Sequence, residues 1–419
     1  MDIGMIAALI VFIVTYLLIA VNRTPWYRLK RSDVALIGAV GMIIVHALSI
    51  DEAADSIDFK VIFLLLGMMT LVAGLEFAGF FTVVSNWLLR SSGSGAKLLA
   101  TIMLSSAILS AIALNDAIVL MFTPIVIKCC RRIKVNPIHY LVGLMMSANI
   151  GSIATPVGNP QNAYIVSRTG IDFLEYSLYS IPISFCCLII TYLILLLIYR
   201  KKLMQPAVIS EDDEEMRKID GFRLEIMIGI LCATFIGFIL TGFYDFELYH
   251  VAIVSGIASA IVILSGSIWN AGWLAERIDW SILLFFIGLF VLIGGASHSG
   301  LISDFSSYIP GFGEGETPDN LKLSIYTVVL SNLVSNVPAV MLISEMMPAT
   351  DLMLCIVLAA ASTLAGNTTL LGSAANIIVA ERSEKYGVRI DFFRFMAVGI
   401  IVTVATIAVM LICVNLMFE

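Results

Sequence analysis

Four polar clusters interrupt long apolar stretches of this chain, and their side chains could bind a small solute. The first cluster is Asn115-Asp116, and the second is ANIGSIATPVGNPQN, at 148–162. The third lies at 331–338, and the fourth is STLAGNTTLLGSAAN, at 362–376. Amide and hydroxyl groups supply neutral hydrogen-bond donors and acceptors, whereas an unpaired buried charge is costly. This chemistry suits a small oxyanion, a carboxylate or a neutral polyhydroxyl molecule better than a bulky apolar one.

The clusters also contain residues that disrupt a helix. Gly151, Pro156 and Gly158 disfavour a continuous helix through the second cluster, and Gly366 and Gly372 permit a break in the fourth. A broken helix presents free backbone N–H groups where its second half begins and free C=O groups where its first half ends. The N–H groups favour anions, and the carbonyl groups can coordinate cations. We therefore expect a binding site at the breaks.

The candidate binding residues are drawn from all four clusters: Asn115, Asp116, Asn149, Ser152, Thr155, Gly158, Asn159, Asn162, Ser335, Asn336, Asn367, Thr368, Thr369, Gly372, Ser373 and Asn376. Small and hydroxylated residues also let membrane helices pack closely, and for any single serine or glycine that role is the better explanation. The four clusters taken as a set favour binding. We predict no catalytic residue, no cofactor, and no metal site beyond Na⁺ at the two hairpin tips described below.

Asp116 is the most distinctive of these residues. An ionisable group inside an apolar stretch is costly and typically belongs to an ion or proton pathway. Asp116 is therefore the candidate for coupling to H⁺ or Na⁺. Because aspartate is also a good N-cap, it could instead accept backbone N–H bonds at the start of a helix.

The composition is that of a polytopic membrane protein. The chain is 60% hydrophobic and 13% charged, with a mean hydropathy of +1.00, outside the range of soluble domains. Apolar runs long enough to cross a bilayer recur along the chain and predict an all-α fold. Two runs with a polar centre, 98–128 and 321–347, are interpreted as re-entrant hairpins. The predicted spans are 3–21, 33–50, 60–81, 139–167, 177–199, 223–242, 249–267, 279–302, 351–381 and 391–417.

The chain contains an internal repeat. Residues recur at a constant offset of 221, which places Gly67, Gly74, Gly79 and Asn115 on Gly288, Gly295, Gly300 and Asn336. This predicts a first repeat at 1–200, a cytoplasmic linker at 201–222 and a second repeat at 223–419. Each repeat holds an odd number of spans, so we expect the two to lie in opposite orientations. Apolar repeats interrupted at matching places are typical of transporters with a site at the repeat interface.

The basic residues predict the orientation. If each hairpin enters and leaves on one side, 21 of the 24 Lys and Arg residues fall on one face, and only Lys60, Arg168 and Lys322 on the other. The positive-inside rule makes the richer face cytoplasmic. We therefore expect a multi-pass protein of the cell membrane with both termini outside, and a first apolar run retained as a helix rather than cleaved as a signal peptide.

The clusters resemble those of an ion transporter superfamily that contains arsenite permeases, sodium–proton antiporters of the NhaD type, and citrate and dicarboxylate carriers. The matching segments are NDAIVLMFTPIVI, ANIGSIATPVGNPQN, SNLVSNVPAVML and LAGNTTLLGSAANIIVAE. The first is most similar to the arsenite-permease branch. The resemblance implies inverted repeats, a homodimer and an elevator-type movement. Dicarboxylate carriers of this superfamily have Ser-Asn-Thr at both hairpin tips, whereas this chain has Leu114-Asn115-Asp116 and Ser335-Asn336-Val337.

The sequence thus predicts a secondary active transporter of a small anion or metalloid oxyacid such as arsenite, coupled to H⁺ or Na⁺, and not an enzyme. The alternatives are a citrate or dicarboxylate symporter and a Na⁺/H⁺ antiporter. The expected partners are the lipid bilayer, the substrate and a second copy of the chain, with a cytoplasmic ATPase subunit if the substrate is of the arsenite type. Nothing indicates nucleic acid. Glu76 is interpreted as interfacial, and Cys129-Cys130 as packing residues rather than ligands of a thiophilic metalloid.

Overall fold

The computed structural model describes residues 3–21, 30–91, 94–203, 221–265, 267, 270–309, 311–312, 318–348 and 351–418. All regular structure within these ranges is helical, which confirms the predicted all-α class. Most of the predicted linker, 204–220, lies outside them. The helices are α1 (Ile3–Val21), α2 (Arg31–Ile44), α3 (Ile50–Asp55), α4 (Phe59–Phe77), α5 (Phe80–Ser91), α6 (Gly95–Ile112), α7 (Asn115–Arg132), α8 (Ile138–Ser152), α9 (Pro160–Thr169), α10 (Phe173–Leu203), α11 (Gly221–Leu240), α12 (Leu248–Leu264), α13 (Asn270–Arg277), α14 (Trp280–His298), α15 (Leu301–Tyr308), α16 (Asn320–Val334), α17 (Asn336–Glu345), α18 (Leu352–Ala365), α19 (Ala374–Glu384) and α20 (Phe392–Phe418).

Helices α1, α2, α4, α11, α12 and α14 pack together and are called the frame below. The pair α2–α14 and the pair α4–α12 both cross at a glycine of the sequence repeat. A β-carbon at Gly67 would lie 2.1 Å from the Ala252 carbonyl oxygen, and one at Gly288 would lie 2.6 Å from the Ala35 carbonyl carbon. Neither position has room for a side chain, so these glycines let the helix backbones touch. Glycines that match in sequence therefore serve the same packing role.

The remaining long helices form a second set, called the hairpin group. Helix α6 packs on α8 and α16 on α18, while α7 packs on α19 and α9 on α17. The long helices α10 and α20 pack against each other. The packing of α6 on α8 therefore has a counterpart in that of α16 on α18, and the packing of α7 on α19 has one in that of α9 on α17. The opposite orientation of the two halves across a membrane stays a prediction.

Within the described residues, six helices are long and apolar enough to cross a membrane: α4, α6, α10, α11, α14 and α20. The apolar stretches Gly4–Ala20, Leu248–Leu264 and Leu352–Ala365 are shorter. Large apolar side chains remain exposed on several of these helices, as at Leu197 and Leu416, each 73% exposed. Such surfaces suit lipid tails, as expected for a multi-pass membrane protein.

The predicted span 33–50 is too long, because α2 ends at Ile44 and His46, two residues later, has a positive φ of 57°.

Two further predicted spans are too long. The predicted span 60–81 contains the end of α4 at Phe77 and the start of α5 at Phe80, and the predicted span 279–302 contains the end of α14 at His298. In each case a glycine of the repeat follows the helix with a positive φ, +87° at Gly79 and +76° at Gly300. This left-handed conformation ends an α-helix. The short helices α3, α5, α13 and α15 were not predicted.

The four polar clusters lie at interruptions of helices. Helix α6 ends at Ile112 and α7 begins at Asn115, and α16 passes into α17 at Ser335. These two turns are the hairpin tips. The second and fourth clusters connect α8 to α9 and α18 to α19, at 153–159 and 366–373.

Candidate functional site

Asn149, in the last turn of α8, joins the two halves of the chain. Its side-chain nitrogen donates to Asn367 Oδ1 at 2.9 Å and to Asn376 Oδ1 at 3.3 Å. Its oxygen accepts from Asn115 Nδ2 at 3.3 Å and from Ser373 Oγ at 3.1 Å. Asn149 is 1% exposed. One buried amide therefore connects the first hairpin tip to the second broken helix.

Asn162 and Asn376 hold the two breaks in the same way. Asn162 Nδ2 donates to the carbonyl oxygens of Ser152 and Thr155, at 2.9 and 3.1 Å. Asn376 Nδ2 donates to those of Gly366 and Thr369, at 2.7 and 3.1 Å. Both asparagines have no exposed surface. Each side chain thus replaces helical hydrogen bonds that the break removes, since buried carbonyl groups need partners.

The first break is further fixed to its neighbours. Asn159 is the N-cap of α9: its side-chain oxygen accepts from the Asn162 N–H at 2.9 Å, and its nitrogen donates to Thr363 Oγ1 in α18 at 3.2 Å. Thr155 Oγ1 donates to the Ala111 carbonyl in α6 at 2.6 Å. The Asn115 N–H bonds the Gly158 carbonyl at 3.0 Å. These bonds tie the first hairpin tip to the first break.

The second break is tied to its own hairpin by side chains. Asn332, in α16, donates to the Ala365 carbonyl at 3.1 Å and accepts from Thr369 Oγ1 at 3.3 Å. Thr368 Oγ1 donates to Thr403 Oγ1 in α20 at 3.1 Å. A β-carbon at Gly372 would lie 3.0 Å from Asn332 Oδ1. The glycine therefore allows the close approach of hairpin and break.

A cavity of about 150 Å³ lies between the hairpin tips and the frame. It is bounded by both broken helices of the hairpin group and by the first turns of α2 and α14. Its lining comprises Arg31, Ser32, Asn115, Asp116, Pro160, Gln161, Ser281, Ile282, Phe285, Phe286, Ser335, Asn336, Val337, Ser373 and Ala374.

The amino-terminal ends of α2, α7, α9, α14, α17 and α19 all contribute to this lining. The first N–H groups of a helix have no partner within the helix, and they carry the positive end of its dipole. Helix ends of this kind bind anions. The backbone alone therefore makes this cavity favourable for a negatively charged oxygen atom.

The ionisable side chains lining the cavity are Arg31, in the first turn of α2, and Asp116, in the first turn of α7. Asp279, close to the lining in the sequence, is the N-cap of α14 and accepts from the Ile282 N–H at 3.2 Å. Arg31 Nη1 donates to Ser335 Oγ at 3.3 Å. Arg31 thus links the frame to the second hairpin tip.

The backbone of Ser335 is strained. Its φ of +87° and ψ of 157° lie in a region that glycine occupies readily and other residues rarely do. The equivalent residue of the first tip, Leu114, has a relaxed conformation, with a φ of −52° and a ψ of 125°. The two tips therefore differ in backbone geometry as well as in side chains.

Four buried side-chain oxygens near the tips have no hydrogen-bond partner in the described part of the chain: Ser110 Oγ, Ser331 Oγ, Asn162 Oδ1 and Asn336 Oδ1. Ser110 and Ser331 occupy matching positions of the repeat. Neutral oxygen atoms suit a hard cation such as Na⁺. The residues present therefore fit a coupling Na⁺ at either tip. No cluster of three or more His, Cys, Asp or Glu side chains occurs among the described residues.

Five of the sixteen candidate residues line the cavity: Asn115, Asp116, Ser335, Asn336 and Ser373. The others form the hydrogen-bonded support around it, so Asn162 and Asn376 hold the broken backbone rather than face the space. Sequence reasoning missed Arg31, which it counted only as a loop charge, together with Ser32, Gln161 and Ser281. The repeat could have drawn attention to Ser281, because both repeats have a polar residue at this position: Lys60 in the first and Ser281 in the second.

Other residues singled out in the sequence lie outside the cavity lining. Glu76, at the end of α4, pairs with Arg277 at 3.0 Å. Cys129 and Cys130 are 1% and 0% exposed and pack within the apolar core of α6, α7 and α8, which favours the packing interpretation.

Residues 8–353 match the family described as "Citrate transporter", CitMHS. The chain belongs to this family. It is accordingly a membrane transporter of the citrate and arsenite-permease type rather than an enzyme, and the resemblance seen in the sequence is confirmed.

Curated relatives match over nearly the whole chain. A 46 kDa membrane protein of Mycobacterium leprae is 28% identical, over 96% of each chain. The silicon efflux transporter LSI3 of Oryza sativa subsp. japonica is 26% identical, over 90% of each chain. The putative transporter arsB of Dictyostelium discoideum is 26% identical, over 96% of this chain and 90% of its own.

The fold has a counterpart among solved structures. The YdaH transporter of Alcanivorax borkumensis, whose crystal structure is described as having an unusual topology, matches with a TM-score of 0.59. The alignment covers 99% of this chain and 98% of that one, at 13% identity. The two proteins share a fold.

Proposed function

We propose that this protein is a secondary active transporter of a small metalloid oxyacid or its anion, such as arsenite, coupled to H⁺ or Na⁺. The observation that carries this proposal is the composition of the cavity. Six helix amino termini, two hairpin-tip asparagines and one arginine surround about 150 Å³ of space. The hairpin group would move the site across the membrane against the frame in an elevator-type step.

The size of the cavity favours a small substrate. Sites for drug-sized molecules typically enclose ~300–1,000 Å³, whereas this cavity holds about 150 Å³. That volume corresponds to only a few water molecules, at roughly 30 Å³ of liquid each. A space of this size favours an oxyacid with one central atom over citrate with its three carboxyl groups.

The donors in the cavity favour oxygen-rich substrates. Asn115 and Asn336 place amide groups at the two tips, while Ser32, Ser281 and Ser373 add hydroxyl groups. Hydroxyl and amide groups can bond both O–H and O⁻ groups of an oxyacid. The names of two relatives, a silicon efflux transporter and a putative arsB transporter, agree with a metalloid oxyacid.

Two alternatives are weaker. The family name favours citrate, and Arg31 would suit a carboxylate, but the volume argues against it. A Na⁺/H⁺ antiporter would need acidic ligands at its cation site, whereas the lining has a single carboxylate, that of Asp116, and also holds the cation of Arg31. That cation would repel Na⁺ from the centre of the cavity.

The proposal is tested in proteoliposomes that contain the purified protein. We expect arsenite to move when a proton or sodium gradient is imposed, and we expect citrate to move far more slowly. Faster transport of citrate than of arsenite, silicic acid or other small oxyacids would overturn the assignment and favour the citrate alternative.

Two variants distinguish the effect of filling the cavity from a general effect of added side-chain volume on the second hairpin. Val337→Phe fills the cavity and should lower arsenite transport by about tenfold or more, which corresponds to ~1.4 kcal/mol or more of lost transition-state stabilisation. Val329→Phe adds the same volume on α16, where the side chain is 54% exposed, and should leave transport unchanged. Equal transport by the two variants would place the substrate path elsewhere.

A further inference from the structure

Gln161 lines the cavity at the start of α9, and its hydrogen bonds fix the orientation of its amide. The side chain is 4% exposed, and its nitrogen Nε2 donates to Thr363 Oγ1 in α18 at 3.3 Å. Thr363 Oγ1 donates its own hydrogen to the Ala359 carbonyl at 2.8 Å. A hydroxyl group has one hydrogen and otherwise only accepts. Gln161 must therefore turn its nitrogen toward Thr363, which leaves its oxygen Oε1 for a substrate.

A second amide bonded to the same hydroxyl supports this orientation. The oxygen of Asn159 accepts from the Asn162 N–H at 2.9 Å, so its nitrogen is the atom that donates to Thr363 Oγ1, at 3.2 Å. Thr363 thus accepts from two amide nitrogens and donates to one carbonyl, which uses the full capacity of a hydroxyl group. Among the described residues, Gln161 Oε1 has no hydrogen-bond partner.

Ser373, the N-cap of α19, also turns its hydrogen away from the cavity that it lines. Asn376 Nδ2 donates to two backbone carbonyls, so its oxygen is the atom that meets Asn149 Nδ2, at 3.3 Å. The oxygen of Asn149 then faces Ser373, and the Ser373 hydroxyl donates to it at 3.1 Å. Two side chains, one from each broken helix, therefore offer lone pairs to the cavity rather than hydrogens.

A backbone donor lies beside the Gln161 acceptor. Pro160 has no N–H, and the N–H of Asn162 bonds Asn159 Oδ1. The N–H of Gln161 is therefore the first one of α9, and it has no acceptor within the helix. A helix end favours a substrate oxygen, whereas a fixed acceptor requires a substrate hydrogen. A molecule that satisfies both groups must carry an O–H group as well as an oxygen that can accept.

We propose that Gln161 is a specificity-determining residue, whose Oε1 accepts a hydrogen bond from an O–H group of the substrate, and that Thr363 positions it. This inference rests on the proposed function and restricts its substrates to oxyacids that keep an O–H group when bound. Arsenous and silicic acids meet this condition. Nitrate has three oxygens around one central atom but no hydrogen at neutral pH, so it does not.

The discrimination follows from the burial of the acceptor. When a substrate enters the cavity, Gln161 Oε1 loses contact with water and needs a new donor. A hydroxyl group supplies one, whereas an ion without hydrogen leaves the acceptor unpaired. Sites that bond a substrate hydroxyl therefore reject analogues that lack it much more strongly than apolar sites reject a change of size.

The experiment measures the binding of arsenous acid and of nitrate to the purified full chain at pH 7 by isothermal titration calorimetry. The wild type should bind arsenous acid at least about tenfold more tightly than nitrate. Gln161→Met has a similar length but no acceptor, so it should lose at least about tenfold in affinity for arsenous acid and none for nitrate. Gln161→Glu keeps an oxygen toward the cavity and should keep the preference for arsenous acid.

A second set of variants tests the positioning role of Thr363. Thr363→Val removes the hydroxyl that orients Gln161 and should narrow the difference in affinity between the two ligands, while Thr363→Ser should restore it. The matched control is Thr234→Val in α11, because Thr234 is also buried and donates to the Ile230 carbonyl, four residues earlier. A Thr363→Val variant that is less stable but keeps the wild-type preference would overturn the positioning role.

Unchanged binding of arsenous acid by Gln161→Met would overturn the inference. Equal losses in Gln161→Met and Gln161→Glu would overturn it as well, because the acceptor oxygen would then not be what the substrate needs. Failure of the wild type to bind arsenous acid would instead refute the proposed function, and the inference would fall with it.

Discussion

The two hairpin tips face one cavity but are built differently. The first tip, Leu114-Asn115-Asp116, has a relaxed backbone and carries a carboxylate. The second tip, Ser335-Asn336-Val337, has a strained backbone at Ser335, and Arg31 bonds the hydroxyl of that residue. Only the asparagine is common to both tips. The two tips thus occupy equivalent positions of the sequence repeat but differ in charge and in backbone conformation.

The two breaks, in contrast, remain alike. Asn162 and Asn376 bond the carbonyls of residues ten and seven positions earlier in the chain. From this difference between tips and breaks we expect the tips to carry coupling and the breaks to maintain the fold. Substitutions at the tips should change transport, and those at the breaks should change stability.

The largest expected effect is at Asp116. Asp116→Asn keeps the shape of the side chain but removes the carboxylate that we propose for coupling to H⁺ or Na⁺. We expect arsenite accumulation driven by a gradient to be abolished, while the protein still folds and still binds substrate. Uptake into proteoliposomes with imposed pH and sodium gradients measures this effect. Unchanged transport with unchanged pH and sodium dependence would make Asp116 a helix cap only.

The next effect concerns the breaks. Asn162→Ala and Asn376→Ala each remove one side-chain donor from two backbone carbonyl groups. We expect each variant to lose stability, at roughly 1–3 kcal/mol for each unsatisfied group, and the two losses to be similar. Thermal unfolding in detergent measures this, with Asn270→Ala as a control, because Asn270 bonds a single carbonyl at a partly buried site. A neutral Asn376→Ala beside a damaging Asn162→Ala would show that the breaks are not equivalent.

The smallest effect compares the backbones of the tips. Ser335→Gly removes strain and the hydroxyl, whereas Ser335→Ala removes the hydroxyl alone. The glycine variant should therefore be the more stable of the two, by about 1–3 kcal/mol. At Leu114 the order should reverse, because its φ is negative and glycine costs ~0.5–1 kcal/mol relative to alanine. The same order at both positions in thermal unfolding would show that Ser335 is not strained.

The sequence predicted the helical class and the positions of the breaks because glycine, proline and asparagine act locally. Several such residues close together, as at 156–160, disfavour a continuous helix, whereas single prolines are tolerated inside α7 and α10, at Pro124 and Pro182. The ends of α4 and α14 were misplaced because nothing in the hydropathy marks Gly79 and Gly300, which take positive φ values. Helix ends of this kind depend on the direction of the chain that follows.

The role of Arg31 could not be predicted in the same way. Charge counting assigns a basic residue at the start of an apolar run to a loop, which is the usual place for it. Only the packing of α2 on α14 brings Arg31 to the cavity between the tips. Asn162 and Asn376 were predicted to bind substrate, whereas the structure shows their side chains bonded to the broken backbone. The reason for this difference is related. A polar side chain at a break can face a ligand or the broken backbone, and the sequence does not distinguish the two.

The first break also determines how fast we expect its backbone amide protons to exchange with solvent. Its non-helical residues, 153–159, are all buried, and Asn162 Nδ2 donates to the carbonyls of Ser152 and Thr155. Irregular segments usually exchange their amide protons quickly because they lie at the surface and open easily. Here the segment should exchange as slowly as the helices on either side. The non-helical segment 153–159 is therefore a rigid connection between α8 and α9, and not a hinge.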